Sequence, residues 1–356
     1  MHFRVFDLLK AVACNLIVLH HLAFYGPMAD VARPLAPEMF EWLEAHARIA
    51  VHAFLVMGGF LAARSLSAQS TAARTPVRAV LRRFVKLAPP FMAAMLLAVA
   101  ASALAAQWMT HDSISSMPNL AQVLAHASLL HGVLGYESLS AGAWYVAIDF
   151  QLFALMTLLL YLTARPGLPA WLAPSAVAGC TAASLLYFNL DSTWDNWAPY
   201  FFGSYGLGAL AWWASERTRS PLQLALLTSA ILLLGGLALD LEFRSRIALA
   251  LGTALLLVAA CKGMVRIPGQ DSRLVALIGR ISYSVFLIHF PVSLVVNAAF
   301  TRFAPALPEV QAAGVVTAWL ASIAAGAAFH RWVELPLAAI TETARGTTAR
   351  NTTAAG

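Results

Sequence analysis

Apolar residues arrive along this chain in long runs, parted by short polar breaks. A run of about 18 or more is long enough to cross a bilayer as a helix. The pattern predicts ten such helices, roughly at 5–25, 46–66, 84–106, 143–163, 170–188, 199–214, 222–240, 244–261, 279–300 and 311–334. The run at 199–214 is the shortest and is marginal for a hydrocarbon layer of about 30 Å. The expected fold class is an all-α integral membrane protein, a polytopic bundle of about ten transmembrane helices. One membrane domain is expected over 1–340, followed by a polar, disordered tail at 341–356. No internal repeat is visible.

Polar residues interrupt these runs at defined places. The first helix, FRVFDLLKAVACNLIVLHHLAF, carries Asp7, Lys10, His20 and His21. At about 100° per residue, His21 falls about 20° from Lys10 and about 40° from Asp7 on the helix wheel. His20 lies about 100° off that stripe and reads as a packing residue. Ionisable groups are costly in hydrocarbon, so the stripe is expected to face other helices or a wet cavity. The second helix places Arg48 and His52 at i,i+4. The fourth begins at Trp144 and holds Asp149. The ninth places His289 near mid-membrane, beside Pro291, which is expected to loosen the helix. Inner ends supply Arg82, Arg83, Lys86 and Glu334, the last read as partner of an inner arginine. Gly58 and Gly59 read as close helix contacts. A continuous polar path through the bundle would account for this spread of depths.

Composition supports the class: 60% hydrophobic and 11% charged residues, against about 25% charged in soluble domains. The net charge of +6 follows from topology. With a cytoplasmic N-terminus, every lysine and arginine except Arg33, Arg48, Arg244, Arg246 and Arg302 falls on the inner side. Both termini are then inside, and no nucleic-acid partner is needed. Cys14, Cys180 and Cys261 lie within apolar runs and read as small hydrophobes. No P-loop, HExxH or CxxC set is present, so no metal site is expected. The outer loop 107–142 lacks Lys and Arg but holds His111, His126 and His131. Its NLAQVLAHASLL stretch is amphipathic, which suits an interfacial helix or a re-entrant segment.

A neutral imidazole beside a carboxylate makes a general base, and His21 with Asp149 fits if the two helices touch. The inner RRFVK cluster could hold donor phosphates. Transmembrane group transfer suits these residues, and so does a proton-coupled transporter or flippase for a glycan-linked or acylated lipid. On the residues alone the two stay open.

The motifs resemble the acyltransferase-3 family of integral membrane acyltransferases, which includes cell-surface glycan O-acetylases. The likeness runs from FDLLKAVACNLIVLHH to HRWVELP. Asp7, Lys10 and His21 match the opening motif, and FLVMGGF at Phe54–Phe60 matches the second helix. Arg82, Arg83, Lys86 and Pro89 match the basic entry to the third, and Trp144, Asp149, Gln151 and Phe153 the fourth. GRISYSVFLIHFPV at Gly279–Val292, which contains Tyr283, is the most specific match, and Glu334 with Pro336 closes the set. Three positions depart from the family pattern: Lys10 stands for Arg, Gly58 for Ser, and Asp149 for Glu.

The resemblance implies transfer of an acyl group, commonly acetyl, from cytoplasmic acyl-CoA to a hydroxyl of an extracytoplasmic or lipid-linked glycan. It implies no metal, and a multi-pass place in the cytoplasmic (inner) membrane of a bacterium. Carried over, His21 is the catalytic residue, as base or transient acyl carrier, with Asp149 orienting it and His289 a second functional position. Lys10, Arg82, Arg83 and Lys86 become donor-binding candidates. Asp7, Arg48, His52, Trp144, Tyr283 and Glu334 are further pocket candidates.

Overall fold

A computed structural model of the chain describes residues 4–66, 75–165, 167–216 and 218–340. Arg74, Arg217, Arg345, Arg350 and the expected tail at 341–356 lie outside the described residues. Every regular element among the described residues is helical. They are α1 (Arg4–Phe24), α2 (Pro27–Ala32), α3 (Pro37–His46), α4 (Val51–Ser65), α5 (Pro76–Ala105), α6 (Leu120–Ala127), α7 (Ala143–Thr163), α8 (Leu172–Leu186), α9 (Ala198–Ser215), α10 (Pro221–Leu241), α11 (Ser245–Cys261), α12 (Arg273–Phe303) and α13 (Pro308–Phe329). Proline opens α2, α3, α5, α10 and α13, where its missing N–H has no partner to lose. Ser220 and Gln223 close a capping box on α10.

Seven helical stretches are long and apolar enough to cross a membrane: Arg4–Phe24, Pro37–Ser65, Pro76–Ala105, Ala143–Thr163, Pro221–Leu241, Arg273–Phe303 and Pro308–Ile340. This is a helical membrane protein. The other three expected spans also form helices, but α8 and α11 have only 15 and 17 residues. Helix α9 has 18 and is diluted by Tyr, Trp, Gly and Ser. Burial explains its composition, since nearly all of α9 is covered by protein.

The described chain divides into two compact units. The first comprises Met1–Leu16, Arg48–Arg83 and Trp144–Arg280; the second comprises Ile17–Ala47, Phe84–Ala143 and Ile281–Gly356.

The first unit is built around α9, which packs against α4, α8, α10 and α11. Small residues permit this. A Cβ on Gly59 would strike the Tyr205 carbonyl, and one on Gly208 would strike the Val56 carbonyl. So α4 and α9 meet backbone to backbone, as small-residue helix pairs do in membranes. Phe60 is wholly buried beside them, edge-on to Phe6 and to Trp212.

In the second unit α2 packs against α13. Gly26 turns the chain between α1 and α2 at φ 112°, a left-handed value that glycine tolerates. Beside it the Asn297 side-chain oxygen accepts from the Met28 N–H at 3.3 Å. A small apolar cluster of Ala105, Met109, Leu294 and Ala298 packs α5 against α12.

Candidate functional site

In the second unit, α1 and α12 bring two imidazoles together. His21 Nδ1 and His289 Nε2 are 2.7 Å apart, with the rings stacked at a 5.0 Å centroid distance. His289 is fully buried, and its Nδ1 faces the Phe286 carbonyl at 2.8 Å and that of Val285 at 3.3 Å. A carbonyl can only accept, so Nδ1 of His289 carries the hydrogen. Neutral His289 then has a lone pair on Nε2, and His21 must donate to it from Nδ1. This leaves Nε2 of His21 unprotonated. The Ser322 hydroxyl bonds the His289 carbonyl at 3.4 Å. His20 is more buried than His21 and donates from Nδ1 to the Leu43 carbonyl at 3.0 Å, tying α1 to α3.

Further along α12, the Tyr283 hydroxyl donates to the Leu87 carbonyl at 3.3 Å. The Ser284 hydroxyl donates to Glu334 at 2.5 Å, and His330 Nδ1 lies 2.9 Å from the same carboxylate oxygen. Residues 330–334 form a π-helical turn, a widened turn often found at functional sites. Glu334 was expected to pair with an inner arginine; its partners among the described residues are Ser284 and His330. Their signal in the sequence was the i,i+4 spacing of His330 and Glu334. Helix α12 runs unbroken through Pro291.

In the first unit the fourth-span motif resolves residue by residue. Asp149, 7% exposed at the side chain, is ion-paired with Arg83, whose guanidinium also sits 5.4 Å from the centre of the Phe153 ring. Gln151 accepts from the Ala198 N–H at 3.1 Å and so caps the start of α9. Trp144 stacks on Phe201 at 5.4 Å. Gly58 faces the ion pair: a Cβ there would lie 3.4 Å from Asp149 Oδ1 and 3.1 Å from the Tyr205 ring. Asp149, the expected partner of His21, belongs to the first unit and His21 to the second. Asp149 holds Arg83, and the ring nitrogen of His21 that could have met a carboxylate meets His289. A buried carboxylate needs a counter-charge, and the Arg83 guanidinium supplies it.

Arg83 is accordingly committed to that pair, while Arg82 and Lys86 are exposed. Asp7 is buried and Lys10 half-buried in the first unit. Arg48 sits in the 3-10 turn Ala47–Ala50 and His52 in the first turn of α4. Arg48 is exposed, whereas His52 is buried and bonds the Ser204 hydroxyl at 2.7 Å.

The loop between α5 and α7 holds a second imidazole pair that spacing alone did not reveal. His126 and His131 are wholly buried and stack at 4.1 Å, with Phe91 beside both. His126 donates to the Gln122 carbonyl at 2.8 Å and accepts from the Leu139 N–H at 3.2 Å. Burial, reinforced by His126, pushes the His131 imidazole down to about 3. No group of three or more metal-ligating side chains occurs among the described residues.

A family model described as an acyltransferase domain, acyltransferase-3, matches residues 3–329. The chain belongs to the acyltransferase-3 family. No curated protein and no solved structure matches it. Membership makes the chain a membrane acyltransferase. The stacked His21–His289 pair, the Arg83–Asp149 pair and the Gln151 cap all fall within the matched span of this acyltransferase.

Proposed function

We propose that this acyltransferase moves an acyl group, acetyl in the first instance, from cytoplasmic acyl-CoA to a hydroxyl of an extracytoplasmic or lipid-linked glycan. His21 is the general base. The reading rests on one observation, the hydrogen bond from His21 Nδ1 to His289 Nε2, which leaves the opposite ring nitrogen of His21 basic. In the reaction, His21 Nε2 takes the proton of the acceptor hydroxyl as its oxygen attacks the thioester carbonyl. The carbon–sulfur bond then breaks, and the imidazolium returns the proton to the leaving thiolate. The products are an ester and free CoA. His289 is a positioning residue that holds the tautomer. Arg82 and Lys86, both exposed, together with Lys10, are the cations for the donor phosphates. Arg83 and Asp149 steady the fourth span rather than touch the donor. In this reading the chain crosses the cytoplasmic membrane of a bacterium ten times, with both termini inside.

The test is purified protein given acyl-CoA and an envelope glycan extract, with thiol release and acylated product followed together. Wild type is expected to release CoA in step with product, and His21→Ala to do neither while staying monodisperse. Undiminished turnover by His21→Ala removes the base assignment. A protein that moves a lipid-linked glycan without consuming thioester is a transporter instead.

A further inference from the structure

The first unit contains a cavity of about 740 Å³ at one end of its helices, where α4, α7, α9 and α11 finish and α8 and α10 begin. Its size falls in the range of about 300–1,000 Å³ typical of small-molecule sites. All of its described lining comes from that unit, whereas His21 and His289 belong to the second.

The lining has two characters. Leu66, Leu160, Ala164, Leu168 and Ala173 make an apolar wall. Arg64, Arg165 and Arg219, contributed from three separate stretches of chain, make a cationic side. Glu216 is the acidic lining residue, and it is paired with Arg219 at 2.6 Å. Arg64 lies 5.8 Å from the centre of the Trp212 ring. Trp212 also lines the cavity, and its indole N–H is buried with no acceptor among the described residues. A buried donor with no partner is costly, so an oxygen-rich ligand would recover what the protein alone leaves unmet.

We propose that this cavity binds a phosphate-bearing amphiphile. Several arginine forks and one indole N–H suit the multiple oxygens of a phosphate better than a single carboxylate. The apolar wall suits an attached hydrocarbon. Basic pockets between helix ends on the cytoplasmic side are favourable places for anionic lipid headgroups. The same chemistry is offered by a bilayer phospholipid and by the phosphates of a coenzyme A thioester. The site requires neither His21 nor the transfer step.

Cys261 lines the cavity and reports on it. Wild-type protein in micelles of dodecyl maltoside, which carries no phosphate, would be alkylated with a maleimide, and the Cys261 peptide quantified by mass spectrometry. The comparison arms are the same micelles with added phosphatidylglycerol, and the same micelles with added CoA. A ligand at ten times its dissociation constant is expected to slow labelling about tenfold. Protection by phosphatidylglycerol alone assigns the site to lipid, and protection by CoA assigns it to the soluble phosphate. Equal labelling in all three arms overturns the proposal. Arg165 is exposed at the rim, so Arg165→Glu leaves folding intact and is expected to abolish protection. Full protection in that variant also overturns the proposal, and His21→Ala is expected to leave labelling unchanged.

Discussion

Replacing His289 tests the positioning role directly, because its two ring nitrogens do different work. Nδ1–H is anchored on the Phe286 carbonyl at 2.8 Å, and Nε2 receives His21 at 2.7 Å. His289→Leu keeps a comparable apolar volume but leaves the His21 Nδ1–H without its acceptor and free to move to the other nitrogen. An unmet polar group of this kind costs roughly 1–3 kcal/mol. If that loss falls on the transition state, turnover drops about 5- to 150-fold. His21→Ala removes the proposed base and should cost about 10²- to 10⁴-fold. His289→Gln offers an amide oxygen to His21 and an amide N–H to the carbonyl, so it should recover most of what leucine loses. The assay is steady-state release of CoA thiol by detergent-purified protein, with kcat and KM for the donor measured separately. The fall is expected in kcat, with KM little changed. Leucine and glutamine variants that are equally impaired, or a leucine variant with wild-type kcat, would refute the tautomer argument.

Breaking the Arg83–Asp149 pair by Asp149→Leu should lower stability by roughly 3 kcal/mol, with part returned by the double variant Arg83→Met, Asp149→Leu; thermal unfolding in detergent measures both. Gly59→Ala and Gly208→Ala should each reduce folded yield, because a methyl cannot fit against the facing carbonyl, while Gly252→Ala, with open space around it, should not. The loop carrying His126 and His131 should hold best above pH about 6.5 and loosen as pH falls from there toward 3, since burial lowers the affinity of both rings for protons in the folded state. Hydrogen exchange over 119–142 measured against pH reads this, and His131→Phe should flatten the dependence. His20→Ala should weaken the α1–α3 tie yet retain most turnover, unlike His21→Ala.

The helices were legible in the sequence because apolar runs report burial or lipid contact directly, and each expected span is a helix. Whether a short run spans is harder to read. Helix α9 is nearly as buried as a soluble core and owes its composition to α4 and its other neighbours rather than to lipid. At the site, periodicity set His21 apart from His20, and their partners differ: His20 bonds a backbone carbonyl, while His21 meets His289. It could not say which distant group each polar side chain would meet. Asp149 took Arg83, and Glu334 took Ser284 and His330. Such choices depend on how each helix is rotated against its neighbours, which periodicity does not give. The buried stack of His126 on His131 was invisible for another reason, since it depends on the loop between α5 and α7 folding inward against Phe91.

Among the described residues no acid hydrogen-bonds to either member of the His21–His289 couple; their partners are each other, main-chain oxygens and neighbouring rings. A proton lodged there finds no opposite charge at bonding distance to settle it. Positive charge on these rings is therefore costly, and the proposed base would have to hand its proton onward within one encounter rather than wait, loaded, for the next.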